Sequence, residues 1–277
     1  MSILTFSNHR GWLGFDAAQC RKIGTDYAAA YAAAQPFPHI VLDELLDPAL
    51  LRDMAAQFPS AEGKSFFDRD QERLKFQFAP DEIIDPRLRH LLLELNGPAF
   101  LGFLEALTGI AGLIPDPYYI GGGLHETRPG GHLSIHADFN LHKPMLVERR
   151  LNLLIYLNED WLPDYGGDLE LWDRDMKACV AKVAPILGRA VIFNTDADSY
   201  HGHPEPLTCP PGRARRSIAT YYYTAPQTEA LRSRTTSFRR RPGSSDRRDM
   251  RVAVDHFVRD WIPPRLQPFA RRFNRFR

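Results

Sequence analysis

Cysteine is scarce: Cys20, Cys179 and Cys209 are the only three in 277 residues, far apart, and none forms a C-x-x-C pair. This excludes a zinc ribbon and a disulfide framework and fits a reducing compartment, so a cytoplasmic location is expected. No run approaches the roughly 18 apolar residues that a membrane span needs. The opening "MSILTFSNHRGWLGFDAA" lacks a basic start followed by an apolar run, so neither a signal peptide nor a membrane span is expected. An excess of one charge is missing too. The formal net charge is +1, which argues against a general nucleic-acid role. No internal repeat is present.

The balance is nevertheless uneven along the chain. Residues 231–277 hold 14 Arg and 4 Asp with no Lys or Glu, an excess of about ten positive charges, which leaves the rest about nine negative. A basic tail can bind phosphate or an acidic surface. The plainer reading is a solvated, Arg-rich C-terminal helix, "DMRVAVDHFVRDWI", packed on an acidic body and ended by Pro263-Pro264.

The composition is that of a globular protein, with 44% hydrophobic residues, and the length allows a substantial core. Residues 16–35 are Ala-rich and proline-free and read as a helix stopped by "PFP" at 36–38. "HIVLDELL" (39–46) reads as a strand. Asp47-Pro48 and Asp85-Pro86 each place an N-cap before a proline at the first helical position. The second of these opens two helices over 85–110, broken near Asn96-Gly97-Pro98. From 118 to 224 the pattern changes to short runs rich in β-branched and aromatic residues, spaced by Gly, Pro, Asn and Asp turns. One α+β domain over 1–277 is expected: a helical N-terminal layer (1–117), a jelly-roll core (118–224) and the Arg-rich tail (225–277).

The core carries the chemistry. "GGHLSIHAD" (130–138) puts His136 and Asp138 two residues apart, so on a strand both project from one face. An H-x-D alone is weak, because chance pairs are common. A third ligand stands in "NTDADSYHGHPEP" (194–206), as His201 or His203. Two imidazoles and one carboxylate leave three positions open, which suits non-haem Fe(II) binding a co-substrate and O₂ together. Downstream, "RRSIATYYYT" opens with Arg215 and Arg216, and a buried Arg there can grip a carboxylate. On alternation, Arg215 shares a face with Ser217, Ala219 and Tyr221, while Arg216 lies with Ile218, Thr220 and Tyr222. Small residues beside Arg215 favour it as the anchor.

The ordered set of H-x-D, "LIYLNEDW", "GGDLELW", "AVIF", His201 and "RRSIATYYY" resembles the Fe(II)/2-oxoglutarate-dependent oxygenases, most closely the prolyl-4-hydroxylase-like branch, over residues 118–224. The resemblance implies a double-stranded β-helix core with Fe(II), 2-oxoglutarate and O₂ as cofactor and co-substrates. It implies His136, Asp138 and His201 as iron ligands, with His201 preferred over His203 because it opens an H-x-x-P turn after an aromatic. It implies Tyr156 as a hydroxyl donor to the far carboxylate of 2-oxoglutarate. Asn152, on the same face, is placed to reach the keto-acid end. Because Asp138 keeps the carboxylate that family halogenases replace, halogenation is not expected. Thr127, His132 and Leu133 depart from the branch, so the substrate wall differs. His125, His132 and His142 read as substrate contacts or ordinary polar residues.

The expected reaction is C–H hydroxylation of a small-molecule or sugar-like metabolite. A peptide or protein side chain is the alternative: a lidded pocket would favour the former and an open groove the latter. A non-catalytic binding module conflicts with the complete ligand set. A zinc hydrolase lacks a Glu placed as general base.

Overall fold

In the computed structural model of the chain, the structure describes residues 2–9, 12–62, 64, 67–226 and 233–246. A hairpin of β1 (Phe6–His9) and β2 (Trp12–Phe15) precedes α1 (Ala17–Ala33), β3 (His39–Leu42), α2 (Pro48–Ala55), a second hairpin of β4 (Phe67–Arg69) and β5 (Glu72–Phe78), then α3 (Pro86–Leu95) and α4 (Pro98–Thr108). The caps expected at Asp47 and Asp85 are present, and Asp16 adds a third. Asp16, Asp47 and Asp85 each accept a backbone N–H of the first turn of their helices.

In α3 the buried residues are Leu88, Leu91, Leu92 and Leu95, and in α4 Phe100, Phe103, Leu104 and Leu107, each set one helical stripe. These stripes share a core with Leu124, Leu153, Ile155, Ile192, Ile218 and Tyr222 of the sheet, where each fully buried large side chain contributes roughly 1.5–3 kcal/mol. α1 rests on α4 through Gly24, where a Cβ would lie 2.4 Å from the Phe103 carbonyl oxygen. Among the described residues no single helix is long and apolar enough to cross a membrane. α3 and α4 together pass that test but are bent by 45° at their break.

The sheet strands follow: β6 (Ile114–Pro115), β7 (Gly123–Ala137), β8 (Leu141–His142), β9 (Val147–Tyr156), β10 (Leu169–Trp172), β11 (Cys179–Val183), β12 (Ala190–Asn194), β13 (His201–His203), β14 (Arg215–Thr224) and β15 (Ser237–Phe238). They form an antiparallel path β11-β10-β13-β7-β14-β9-β12-β3, with β5 and β15 also pairing with β7. β7 belongs to both layers. Its first half pairs with β14, Thr127 opposite Arg215, and its second half with β13, His136 opposite His201. The bend between them falls at Gly130 (φ +79°) and Gly131. A Cβ on Gly131 would meet the Arg73 oxygen and the Thr127 methyl at 2.7 Å, so the chain turns there only without side chains. The result is the expected double-stranded β-helix sandwich.

The N-terminal third is less helical than expected, because it adds four strands (β1, β2, β4 and β5) to the expected β3. "ERLKFQF" is charge-rich, yet it alternates: Phe76 and Phe78 enter the helix-side core while Lys75 and Gln77 face the sandwich interior. The expected C-terminal helix lies outside the described residues. The described part of the tail includes β15, which pairs with β7 at His136 and Ala137.

Candidate active site

Nε2 of His136 lies 3.6 Å from Oδ1 of Asp138, and Nε2 of His201 lies 3.4 Å from Oδ2. One ligand atom from each residue falls within 4.8 Å of the other two. The imidazoles are held alike: Nδ1 of His136 bonds the Ser134 carbonyl and Nδ1 of His201 the Ser199 carbonyl, each at 2.9 Å. A carbonyl only accepts, so Nδ1 carries the proton and Nε2 presents its lone pair to the cluster, the orientation a metal-ligating histidine requires. Burial, then the neighbouring His136, pushes His201 down to about 4, which keeps it neutral near pH 7.

Asp138 is tethered through one oxygen. Its Oδ2 accepts from Asn152 Nδ2 at 2.8 Å and lies 3.1 Å from Arg149 Nη2. Burial by itself would raise this carboxyl, but Arg149, His201 and His136 together hold it well below the usual carboxylate range. Arg149 also donates to Asn152 Oδ1 from Nε and Nη2, and its guanidinium sits 3.5 Å from the Tyr221 ring centroid and 4.6 Å from that of Phe139. Two imidazoles and one ionised carboxylate, converging and backed by a second layer of hydrogen bonds, fit a divalent transition metal.

The cluster opens on a cavity of about 240 Å³. Arg215 enters it from β14, 6% exposed, with Nε donating to the Gly167 carbonyl at 2.7 Å and Nη2 to the Tyr156 hydroxyl at 3.2 Å. It has no acidic partner among the described residues. Gly167 (φ +79°) makes room for it, since a Cβ there would be 3.0 Å from Arg215 Cδ and 2.7 Å from Leu207 Cδ2. Arg216 points away, donating to Glu126 Oε2 at 2.9 Å and lying over the Phe58 ring. Alternation therefore separates the pair as expected, with Arg215 inside.

Of the remaining candidates, Asn152 lines the cavity but is occupied by Asp138 and Arg149. Tyr156 packs behind Arg215 among Phe37, Leu169, Val191 and Phe193 rather than lining the cavity. His203 lies outside the ligand cluster but does line the cavity. His125 lines it too, with Nε2 on the Gly121 carbonyl at 2.9 Å. Burial, followed by the cations Lys75, Arg215 and Arg149, holds His125 well below its ordinary value. His142 pairs with Asp116 at 3.1 Å, and His132 bonds the Asp70 carbonyl.

Sequence reasoning missed Arg149. Counting back by twos from Asn152 puts Arg150 on the cavity face, but a β-bulge in β9 opposite Tyr222 and Tyr223 makes Arg149 the inward residue. It also missed the wall supplied by β5, where Lys75 and Glu72 form a 2.8 Å ion pair, each 13% exposed.

Residues 122–223 match the family model of the 2OG-Fe(II) oxygenase superfamily. The fold is similar to that of a prolyl-4-hydroxylase from Pseudomonas putida, over 74% of this chain and 100% of that one, at 20% identity and a TM-score of 0.50. It is also similar to a prolyl hydroxylase from Trichoplax adhaerens solved with a fragment of the hypoxia inducible factor oxygen degradation domain, over 74% and 91%, at 16% identity and a TM-score of 0.50. No curated protein matches the chain. The matched segment spans the strands that carry the cluster and Arg215, so residues 122–223 form a 2OG-Fe(II) oxygenase domain, which supports an Fe(II)- and 2-oxoglutarate-dependent dioxygenase.

Proposed function

We propose that His136, Asp138 and His201 hold the iron, that Arg215 anchors the far carboxylate of 2-oxoglutarate, and that the enzyme hydroxylates a C–H bond of a small polar metabolite. The observation that carries this reading is the convergence of three ligand atoms within 4.8 Å on a cavity that also holds a buried arginine without an acidic partner. Bound Fe(II) supplies the coordination of keto acid and O₂ and the oxidising power for C–H cleavage. The chain's own part is positional. Ser134 and Ser199 orient the imidazoles, Asn152 and Arg149 tether one carboxylate oxygen, and Tyr156 and Gly167 hold the Arg215 side chain in place.

A small substrate is supported by the cavity's modest volume and by Thr236 and Phe238, which line it from the tail, Phe238 with its ring 5.4 Å from that of His136. A polar one is supported by the Glu72–Lys75 pair and Gln77 on the β5 wall. The core shared by helices and sheet supports one oxygenase domain.

The test is anaerobic addition of Fe(II) and 2-oxoglutarate to purified protein, following the weak visible charge-transfer band. Wild type and Arg216→Ala should show the band, while His136→Ala, His201→Ala and Arg215→Ala should lose it. Folded wild type without a band would overturn the reading, and succinate release against panels of small molecules and peptides would decide the substrate class.

A further inference from the structure

We propose that His203 is a second contact for the far carboxylate of 2-oxoglutarate, lining the same cavity as Arg215. The proposal rests on the reading of Arg215 given above. A carboxylate offers about four acceptor sites, and one arginine edge covers only part of them. Arg215 is already engaged through Nε with Gly167 and through Nη2 with Tyr156. The Tyr156 hydroxyl, which the family resemblance casts as the second donor, is turned to the guanidinium, and its ring packs in the core. Another donor is needed.

His203 is 4% exposed and lines the cavity. The two ligating imidazoles have Nδ1 tied to a backbone carbonyl, whereas Nδ1 of His203 is buried with no partner among the described residues. A buried polar atom left unpaired costs free energy, so an unpaired one at a cavity calls for an explanation.

The topology supplies one. β7 pairs Thr127 with Arg215 before its bend and Leu133 with His203 after it, so the bend sets β13 and its His203 over the start of β14. His201 and His203 are two residues apart, about 7 Å along an extended strand, so one marks the metal end and the other the anchor end. Between them Gly202 carries no side chain. A Cβ there would lie 2.8 Å from the carbonyl oxygens of Leu133 and Ser134.

The experiment uses the full chain loaded with Ni(II), which binds the keto acid without turnover. Calorimetry compares 2-oxoglutarate with 2-oxopentanoate, the same chain lacking the far carboxylate. His203→Phe should bind 2-oxoglutarate at least about tenfold more weakly, a change of about 1.4 kcal/mol, with 2-oxopentanoate unaffected. His203→Gln, which keeps a donor, should recover most of the loss. Nickel affinity and melting temperature report whether each variant is folded, and His203→Asn, too short to reach, replaces the Phe variant if that one does not fold. Loss of less than twofold for 2-oxoglutarate, or equal loss for both keto acids, would overturn the assignment. Wild type showing no preference for 2-oxoglutarate would instead overturn the Arg215 reading on which it rests.

Discussion

Replacing Arg149 with methionine removes a guanidinium that lies 3.1 Å from Asp138 Oδ2, donates twice to Asn152 and stacks on Tyr221, while keeping much of the apolar stem. Both members of the ion pair are largely buried, with side chains 1% and 11% exposed. Breaking a buried pair by removing one partner costs about 3–5 kcal/mol, because the other charge is stranded. The lost ring contact adds up to about 2 kcal/mol, partly offset by methionine's own packing. Against a typical total of about 5–15 kcal/mol, metal-free Arg149→Met should lose a large part of its stability. Urea unfolding of the metal-free protein measures it, in a cycle with Asp138→Asn and the double variant. Each single change strands a partner, so the double variant should be less damaged than the sum by about 2–3 kcal/mol. A loaded metal compensates Asp138, so the Arg149→Met penalty should shrink when Ni(II) is bound. Additivity within about 0.5 kcal/mol, or a cost for Arg149→Met of less than about 1 kcal/mol, would refute the reasoning.

Gly167→Ala forces a Cβ against Arg215 and Leu207 at φ +79°. It should cost about 1–3 kcal/mol and weaken 2-oxoglutarate binding while sparing nickel affinity, and unchanged melting and binding would show that the anchor does not depend on this turn. Tyr156→Phe removes the hydroxyl that accepts from Arg215. A loss of about 1 kcal/mol and a severalfold fall in 2-oxoglutarate affinity are expected by calorimetry, and undiminished affinity would mean that Gly167 alone orients the guanidinium. The metal-free protein should weaken in acid. His201 is held near 4 when folded, against an ordinary 6.5, so the unfolded chain takes up the proton first. Stability is then fully present above about pH 6.5 and is lost as pH falls toward 4, by about 2 kcal/mol at pH 5 relative to pH 8. A urea midpoint that is flat over this range, or equally steep in His201→Gln, would contradict the assignment.

Local rules made much of this protein legible before any coordinates. The Asp-Pro caps at Asp47 and Asp85, the Leu stripe of α3 and the Phe stripe of α4 follow from helix geometry, which depends only on neighbours in the chain. The shared face of His136 and Asp138, and the inward side chain of Arg215 against the outward one of Arg216, follow from strand alternation, a rule equally local. The convergence of His201 on His136 depended on pairing between β13 and β7, segments far apart in sequence. Arg149 was hidden because one bulged residue reverses the alternation. Lys75 and Glu72 were hidden because a charge-rich strand reads as surface until the other layer closes over it. Tyr156 and His203 were sorted only by packing, which buries the first in the core behind Arg215 and leaves the second lining the cavity. Composition and local periodicity determined the helices, the runs that form the core strands and the donor types. Only the tertiary structure decided which donors meet, because the bend, the bulge and the pairing between sheets arise from packing contacts that no short stretch of the chain contains.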